Sequence, residues 1–307
     1  MAEQEWAQIT FRLFDTENRI SVLREHETLL QDALEKCRRY DALFSPVNLR
    51  GDAQRICRAG GSITVEDETA ALLRRALDLT AETDGWFDVT AGGMVQAWRI
   101  GDPAAPDPDE AQITAALADK GAGEIRISGN TVTVPARVQV DFGGIAKGFI
   151  ADRLIRFFRE NGVQRALIDL GGHTALLGEK SPGQMWKIGV RSPFAGADDV
   201  LAVISCGSTS VVTSAAYERF RERDGTVFSH IMDPFTGRPA QTDLLSATVV
   251  CPDSTLADAL STACYAAGMQ RGKQLLKHFH AQGAQGLLIG ADRTVYLTRE
   301  LAAVTEF

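Results

Sequence analysis

The stretch Glu124-Ile125-Arg126-Ile127-Ser128-Gly129-Asn130-Thr131-Val132-Thr133-Val134 is followed by Val138-Gln139-Val140-Asp141-Phe142-Gly143-Gly144-Ile145-Ala146-Lys147-Gly148-Phe149. The first eleven residues hold two alternating runs joined by Gly129-Asn130, the pattern of a β-hairpin. Val138 to Phe142 predicts a further strand. The paired glycines then lead into a helix from about Gly148 to Asn161, stopped at Gly162. A hairpin running on into strand, turn and helix does not follow a steady βαβ rhythm. It points to an α+β fold with mixed, mainly antiparallel sheets and packed helices rather than a doubly wound one.

The remainder of the chain agrees. Gln8 to Phe14 alternates as a strand. Val22, Leu29, Leu30, Ala33, Leu34 and Cys37 recur at helical spacing, so a helix is expected over about Val22 to Arg39, with Phe44-Ser45-Pro46 as a loop. A second helix is expected from Asp67 to Thr83, with acidic residues at its positive end and Gly85 as a stop. Gly101 to Asp109 is a loop. Strands are expected at Ala166 to Leu170, Trp186 to Val190, Val200 to Ser205 and Ala247 to Cys251. Helices follow at Leu256 to Ala267 and Arg271 to His280, and a hairpin over Gly286 to Leu297 turns near Ala291-Asp292. With no internal repeat and no low-complexity linker, residues 1–307 read as one continuous unit of one or two lobes.

The 307 residues carry 32 Lys and Arg against 40 Asp and Glu, a formal net charge of −8. That acidic balance argues against a general nucleic-acid binder. No run approaches the roughly 20 apolar residues of a membrane span. Met1 to Gln8 lacks the basic and apolar segments of a signal peptide, and the five cysteines are scattered with no C-x-x-C. A cytoplasmic location is therefore expected. Neither G-x-G-x-x-G after a strand nor G-x-x-x-x-G-K-[ST] occurs.

Four segments carry candidate chemistry. In Val140 to Phe149 a carboxylate ends a strand, Gly143 and Gly144 permit close backbone approach, and a helix N-terminus with Lys147 beside it favours a phosphate. The alternative is a tight turn with a solvated lysine. In Asp169-Leu170-Gly171-Gly172-His173 the favoured reading is a turn needing positive φ, with His173 as polar filler. Thr213 to Arg219 and Ser229 to Pro239 form the third segment. Asp233 to Pro239 is dense turn chemistry, and His230 at its entrance is a candidate general base or a structural histidine. In Ala257 to Thr262, Asp258 and Thr262 are four apart and share a helix face. Together they offer hard oxygen ligands suited to Mg²⁺. The bland reading has Thr262 bonding back to the Asp258 carbonyl while Asp258 faces water.

Taken in order, these segments resemble the ApbE family of flavin transferases. The matching pieces are Phe44-Ser45-Pro46, Gly85-Trp86-Phe87-Asp88-Val89-Thr90-Ala91-Gly92, Val140 to Gly148, Ala166 to Gly172, Thr213 to Arg219, Ser229 to Pro239 and Leu256 to Thr262. The resemblance implies Mg²⁺-dependent transfer of FMN from FAD to a Ser or Thr hydroxyl of an acceptor flavoprotein, with release of AMP. It implies metal ligation by the Gly144 carbonyl, Asp258 and Thr262. It implies flavin contacts at Asp141, Thr16 and the segment Trp98, Arg99 and Ile100, and phosphate contact near Lys147. His230 is the candidate base. Two positions depart from the family pattern: Phe14-Asp15-Thr16 keeps only the Thr of a Met-Gly-Thr, and Val47 stands where an aromatic is usual. An FAD pyrophosphatase giving FMN and AMP, or a non-catalytic flavin-binding assembly protein, is the alternative.

Overall fold

The computed structural model describes residues 6–194, 199–216, 220–223 and 226–307. Its centre is an eight-stranded sheet. In spatial order the strands are Trp6–Leu13, Thr16–Leu23, Ala166–Leu170, His173–Leu177, Ser210–Ala215, Leu244–Cys251, Gln285–Gly290 and Val295–Leu297. Every neighbouring pair is antiparallel. Smaller antiparallel sheets pair Gly61–Thr64 and Arg126–Ser128 with Thr131–Val134, and Trp186–Arg191 and Thr305–Glu306 with Val200–Cys206. The α+β expectation holds, and so does the hairpin through Gly129, whose φ is +58°.

Two helices position the site. One, Ala146–Glu160, follows the paired glycines and is here the glycine-led helix. The other, Ser254–His278, is the long helix. It is broken at Gly268 (φ +77°), where a Cβ would come 2.7 Å from the Asp243 carboxylate, so the two expected helices appear as one interrupted rod. Leu256, Ala257, Ala259, Leu260, Ala263 and Cys264 are buried on one side of its first half, and Asp258 and Ser261 are buried on the other, so this half is enclosed by other elements with its polar groups on one face. It lies against Leu244–Cys251, Ser210–Ala215 and the glycine-led helix. Removing a side chain such as Leu260 from this packing would cost about 2–5 kcal/mol.

Two local expectations fail. The helix expected from Val22 begins at Leu29, and Val22 instead belongs to the strand Thr16–Leu23. The reason is the turn Phe14-Asp15, both residues at positive φ (+56° and +57°), which closes a hairpin without glycine or asparagine. Val138 to Phe142 joins no sheet. It runs beside residues 89–92 through two bonds only, Asp141 N–H to the Val89 carbonyl and Gly92 N–H to the Gln139 carbonyl. Short helices at Asp52–Ala59, Gly92–Trp98 and Glu110–Ala118 were not legible in the sequence.

All five cysteines are free thiols, and burial foremost pushes Cys37 up to about 12. Among the described residues no helix is long and apolar enough to cross a membrane.

Candidate functional site

Asp258 sits on the buried face of the long helix, 5% exposed, and is where the site begins. The Asp253 carboxylate caps this helix by accepting the Leu256 N–H at 2.8 Å. Asp152 of the glycine-led helix accepts the N–H groups of Ser254 and Thr255 at 3.0 and 2.8 Å. These acceptors satisfy amides that a helix start leaves open, and they lock the two helices together. The lock sets the depth of Asp258.

The helices touch at Gly148. A Cβ there would lie 2.3 Å from the Ser254 carbonyl oxygen and 2.8 Å from the Asp258 Cβ, so glycine is required by space. The Gly148 N–H donates to Asp258 Oδ2 at 2.8 Å. Gly148 is in the first turn of the glycine-led helix, whose first internal bond is Phe149 N–H to the Ile145 carbonyl, so its N–H is one of the amides a helix start leaves open. Asp258 therefore caps the glycine-led helix from another element.

Gly144 in turn faces Thr262. A Cβ on Gly144 would lie 3.1 Å from Thr262 Oγ1 and 3.5 Å from the Phe87 ring. Ser214 adds hydroxyl contacts to Ser261 at 2.9 Å and to Thr262 at 3.5 Å. It is Ser261, not Thr262, whose hydroxyl bonds back to the Asp258 carbonyl, at 2.9 Å. The bland reading of this face is thereby removed on both counts, since Asp258 is also shielded from water.

Electrostatics keep Asp258 ionised. Burial pushes its carboxyl up. The His173 ring, the Lys147 ammonium and the Gly148 N–H together outweigh burial and hold it below the usual carboxylate range. Asp141 differs. Burial raises it, and the Gly143 N–H to Oδ1 bond at 2.6 Å offsets only part of that.

The Asp258 carboxylate and the Thr262 hydroxyl thus share one helix face, Gly144 packs against Thr262, and Gly144, Lys147 and Thr262 are half-exposed. Hard oxygen donors with a single carboxylate suit Mg²⁺, which keeps several waters or phosphate oxygens for itself. Among the described residues no group of three His, Cys, Asp or Glu converges in the manner of a softer metal centre.

The other expected residues lie in three places. Thr16 lies in the first hairpin, against Gly171, where a Cβ would come 2.5 Å from Thr16 Oγ1. Trp98 is buried. Its indole N–H donates to the Gly237 carbonyl at 2.8 Å and its ring packs on Phe228, so its faces serve the core. Arg99, at φ +44°, is exposed and paired with Asp102, while Ile100 is buried. His230 is half-buried in the bend between Thr226–Ser229 and Met232–Asp233. That bend is tied to the long helix, because Tyr265, one turn beyond Thr262, hydrogen-bonds Ser229. The turn reading of Asp233 to Pro239 holds: Asp233 Oδ1 accepts the Phe235 and Thr236 N–H groups, and Gly237 has φ +69°. Tyr217, Glu218 and Arg219 lie outside the described residues.

Several site residues escaped the sequence reading. His173, taken as polar filler, is buried against Asp258. Gly148, Ser214 and Ser261 carried no distinct signal. Tyr265 did, since 258, 262 and 265 follow the i, i+4, i+7 spacing of one helix face. A cavity of about 570 Å³ lined by Glu82, Asp84, Arg271 and His278 lies along the far part of the long helix, beyond Gly268, and shares no residue with this cluster.

Residues 14–287 match the ApbE family. The FAD:protein FMN transferase of Treponema pallidum is 37% identical over 295 residues, covering 90% of this chain and 78% of the relative. That of Klebsiella pneumoniae is 34% identical, covering 89% of this chain and 85% of the relative. The crystal structure of the ApbE protein from Thermotoga maritima superimposes with a TM-score of 0.88 at 29% identity, covering 98% of this chain and 99% of its own. Motifs, fold and relatives agree over nearly the whole length, and the chain belongs to the ApbE family.

Proposed function

We propose that this protein is an Mg²⁺-dependent FAD:protein FMN transferase acting as one catalytic unit. It would move FMN from FAD to a Ser or Thr hydroxyl of an acceptor flavoprotein and release AMP. The observation that supports this reading is the Gly148 N–H to Asp258 Oδ2 bond, which fixes the Asp258 carboxylate one helix turn from Thr262, the residue that Gly144 packs against. The Gly144 carbonyl, the Asp258 carboxylate and the Thr262 hydroxyl are the proposed ligands. These three would hold the ion. Mg²⁺ bound there supplies charge neutralisation of the pyrophosphate oxygens.

The chain's own groups do the rest. The glycine-led helix start and Lys147 face the phosphates. Asp141, Thr16 and the Trp98-Arg99-Ile100 segment hold the ring end of FAD, the last through backbone and edge because the indole faces are occupied. The acceptor oxygen bonds to the FMN-side phosphorus, the pyrophosphate bond breaks, and AMP leaves with the bridging oxygen. His230 takes the hydroxyl proton. In-line positioning supplies most of the rate in such displacements.

The test is incubation of the purified protein with FAD, Mg²⁺ and a flavoprotein carrier domain. Covalent flavin on the carrier with one AMP per flavin, lost in chelator, is the expected result. Free FMN without carrier labelling would replace this reading with an FAD pyrophosphatase. No turnover would leave a flavin-binding protein.

A further inference from the structure

His173 stands at the second paired-glycine turn, opposite Leu170 in the hairpin Ala166–Leu170 and His173–Leu177. Its side chain is fully buried. Nε2 lies 2.6 Å from the Ser254 hydroxyl. Nδ1 has no hydrogen-bond partner among the described residues and points at Asp258 Oδ1 from 3.7 Å. A neutral imidazole has one N–H and one lone pair. With the proton on Nε2, the Nδ1 lone pair would face a buried carboxylate oxygen. With the proton on Nδ1, a donor faces that oxygen and the Ser254 O–H donates to Nε2. The second arrangement alone satisfies the electrostatics of a dry interior.

We infer that His173 is a positioning residue for Asp258, with its Nδ1–H holding Oδ1 and the Ser254 hydroxyl selecting that tautomer. The inference rests on the metal reading above. Ser254 is itself fixed by its backbone N–H to Asp152, so the order of support runs Asp152, Ser254, His173, Asp258. The carboxylate is then hydrogen-bonded at Oδ2 by Gly148 and faced at Oδ1, across 3.7 Å, by the His173 N–H. Its orientation toward Thr262 and Gly144 is set before any ion arrives. Groups that orient a ligating side chain in this way typically change metal affinity by about 10–100-fold when removed.

The experiment separates the two ring nitrogens. The side-chain amide nitrogen of Asn reaches the place of Nδ1, whereas that of Gln reaches the place of Nε2. Mn²⁺ alone is the probe, because it shares the octahedral oxygen preference of Mg²⁺. Its binding is read from the loss of the free-ion paramagnetic resonance signal, with melting curves without ion as the folding control. His173→Gln should bind Mn²⁺ at least about tenfold more weakly, and His173→Asn should stay near the parent. Ser254→Ala, which keeps the backbone caps, should show a smaller loss in the same direction and serves if His173→Gln does not fold. Parent-like affinity in His173→Gln, equal losses in Asn and Gln, or parent-like affinity in Ser254→Ala overturns the inference. Asp258→Asn separates the two readings. If it binds Mn²⁺ as the parent does, the metal reading falls and this inference with it. If it loses the ion while both His173 variants keep it, only this inference falls.

Discussion

The chain has two paired glycines that follow an aspartate by one residue, Asp141-Phe142-Gly143-Gly144 and Asp169-Leu170-Gly171-Gly172. They look alike and do different work. Gly171 and Gly172 have φ of +63° and +86° and close a tight hairpin, so glycine is needed there for conformation. Gly143 and Gly144 are not at positive φ. Glycine is needed there for room, beside the Asp141 carboxylate and Thr262. Both pairs nevertheless serve Asp258. The first begins the helix whose Gly148 binds Oδ2, and the second delivers His173 to Oδ1. A glycine pair therefore marks a place where the backbone must be unusual. Whether the reason is angle or space is a separate question.

The largest effect tests whether the chemistry lies on the side of the first pair. His230→Ala should slow single-turnover transfer by about a hundredfold to ten-thousandfold while sparing FAD affinity. A folded variant with near-normal turnover and a lowered Tm would make His230 a brace for the Asp233 to Pro239 turn. Gly144→Ala should come next. Thr262 Oγ1 would have to move by a few tenths of an ångström from a Cβ at 3.1 Å. Displaced catalytic geometry of that kind can cost up to about a hundredfold in turnover, against a stability loss of about 1 kcal/mol. Equal turnover in this variant would break the claim that the first pair is there for room near the reaction.

Gly171→Ala should behave in the opposite way. The left-handed backbone adds about 1–2 kcal/mol, and a Cβ 2.5 Å from Thr16 Oγ1 adds overpacking of about 1–3 kcal/mol. Denaturant unfolding should show the sum, with FAD affinity lowered through the displaced Thr16 and turnover per folded molecule at saturating FAD falling less than in Gly144→Ala. A stable but inactive variant would move this turn into the reaction site.

The smallest effect compares the carboxylates Asp258 and Asp141. The folded pKa of Asp258 is lowered from 3.8. Its ionised form therefore stabilises the fold above 3.8, and that stability drains as pH falls through the folded value. Asp141 is raised from 3.8. Its contribution is present below that value and is lost as pH rises through the raised one. Asp258→Asn should flatten the acid limb of the stability profile. Asp141→Asn should raise Tm near neutral pH by about 2 °C, with the gain fading in acid, while weakening FAD binding. Matching profiles for the two variants would refute the contrast.

Much of the fold was legible because its signals are local. The alternation around Gly129-Asn130, the acidic start at Asp67 and Glu68, and the glycine stops at Gly85 and Gly162 act over a few residues. The Phe14-Asp15 turn hid the second strand because neither residue type announces positive φ. Within the site, the pairing of Asp258 with Thr262 was readable, being one turn of one helix. The role of His173 was not, since its partner Asp258 is brought to it only when the long helix packs on the sheet.

By itself the sequence determined the element types, the hairpin-rich class and the candidate donor face, all governed by backbone angles and short-range periodicity. Only the tertiary structure decided that the open Gly148 amide of the helix start is capped by a carboxylate 110 residues away. It also decided that Trp98 gives its indole to Gly237, and that one glycine pair answers to angle and the other to space. The physical reason is common to all three. The depth at which the long helix meets the glycine-led helix is set by many close-packed contacts at once, and no single stretch of chain encodes that depth.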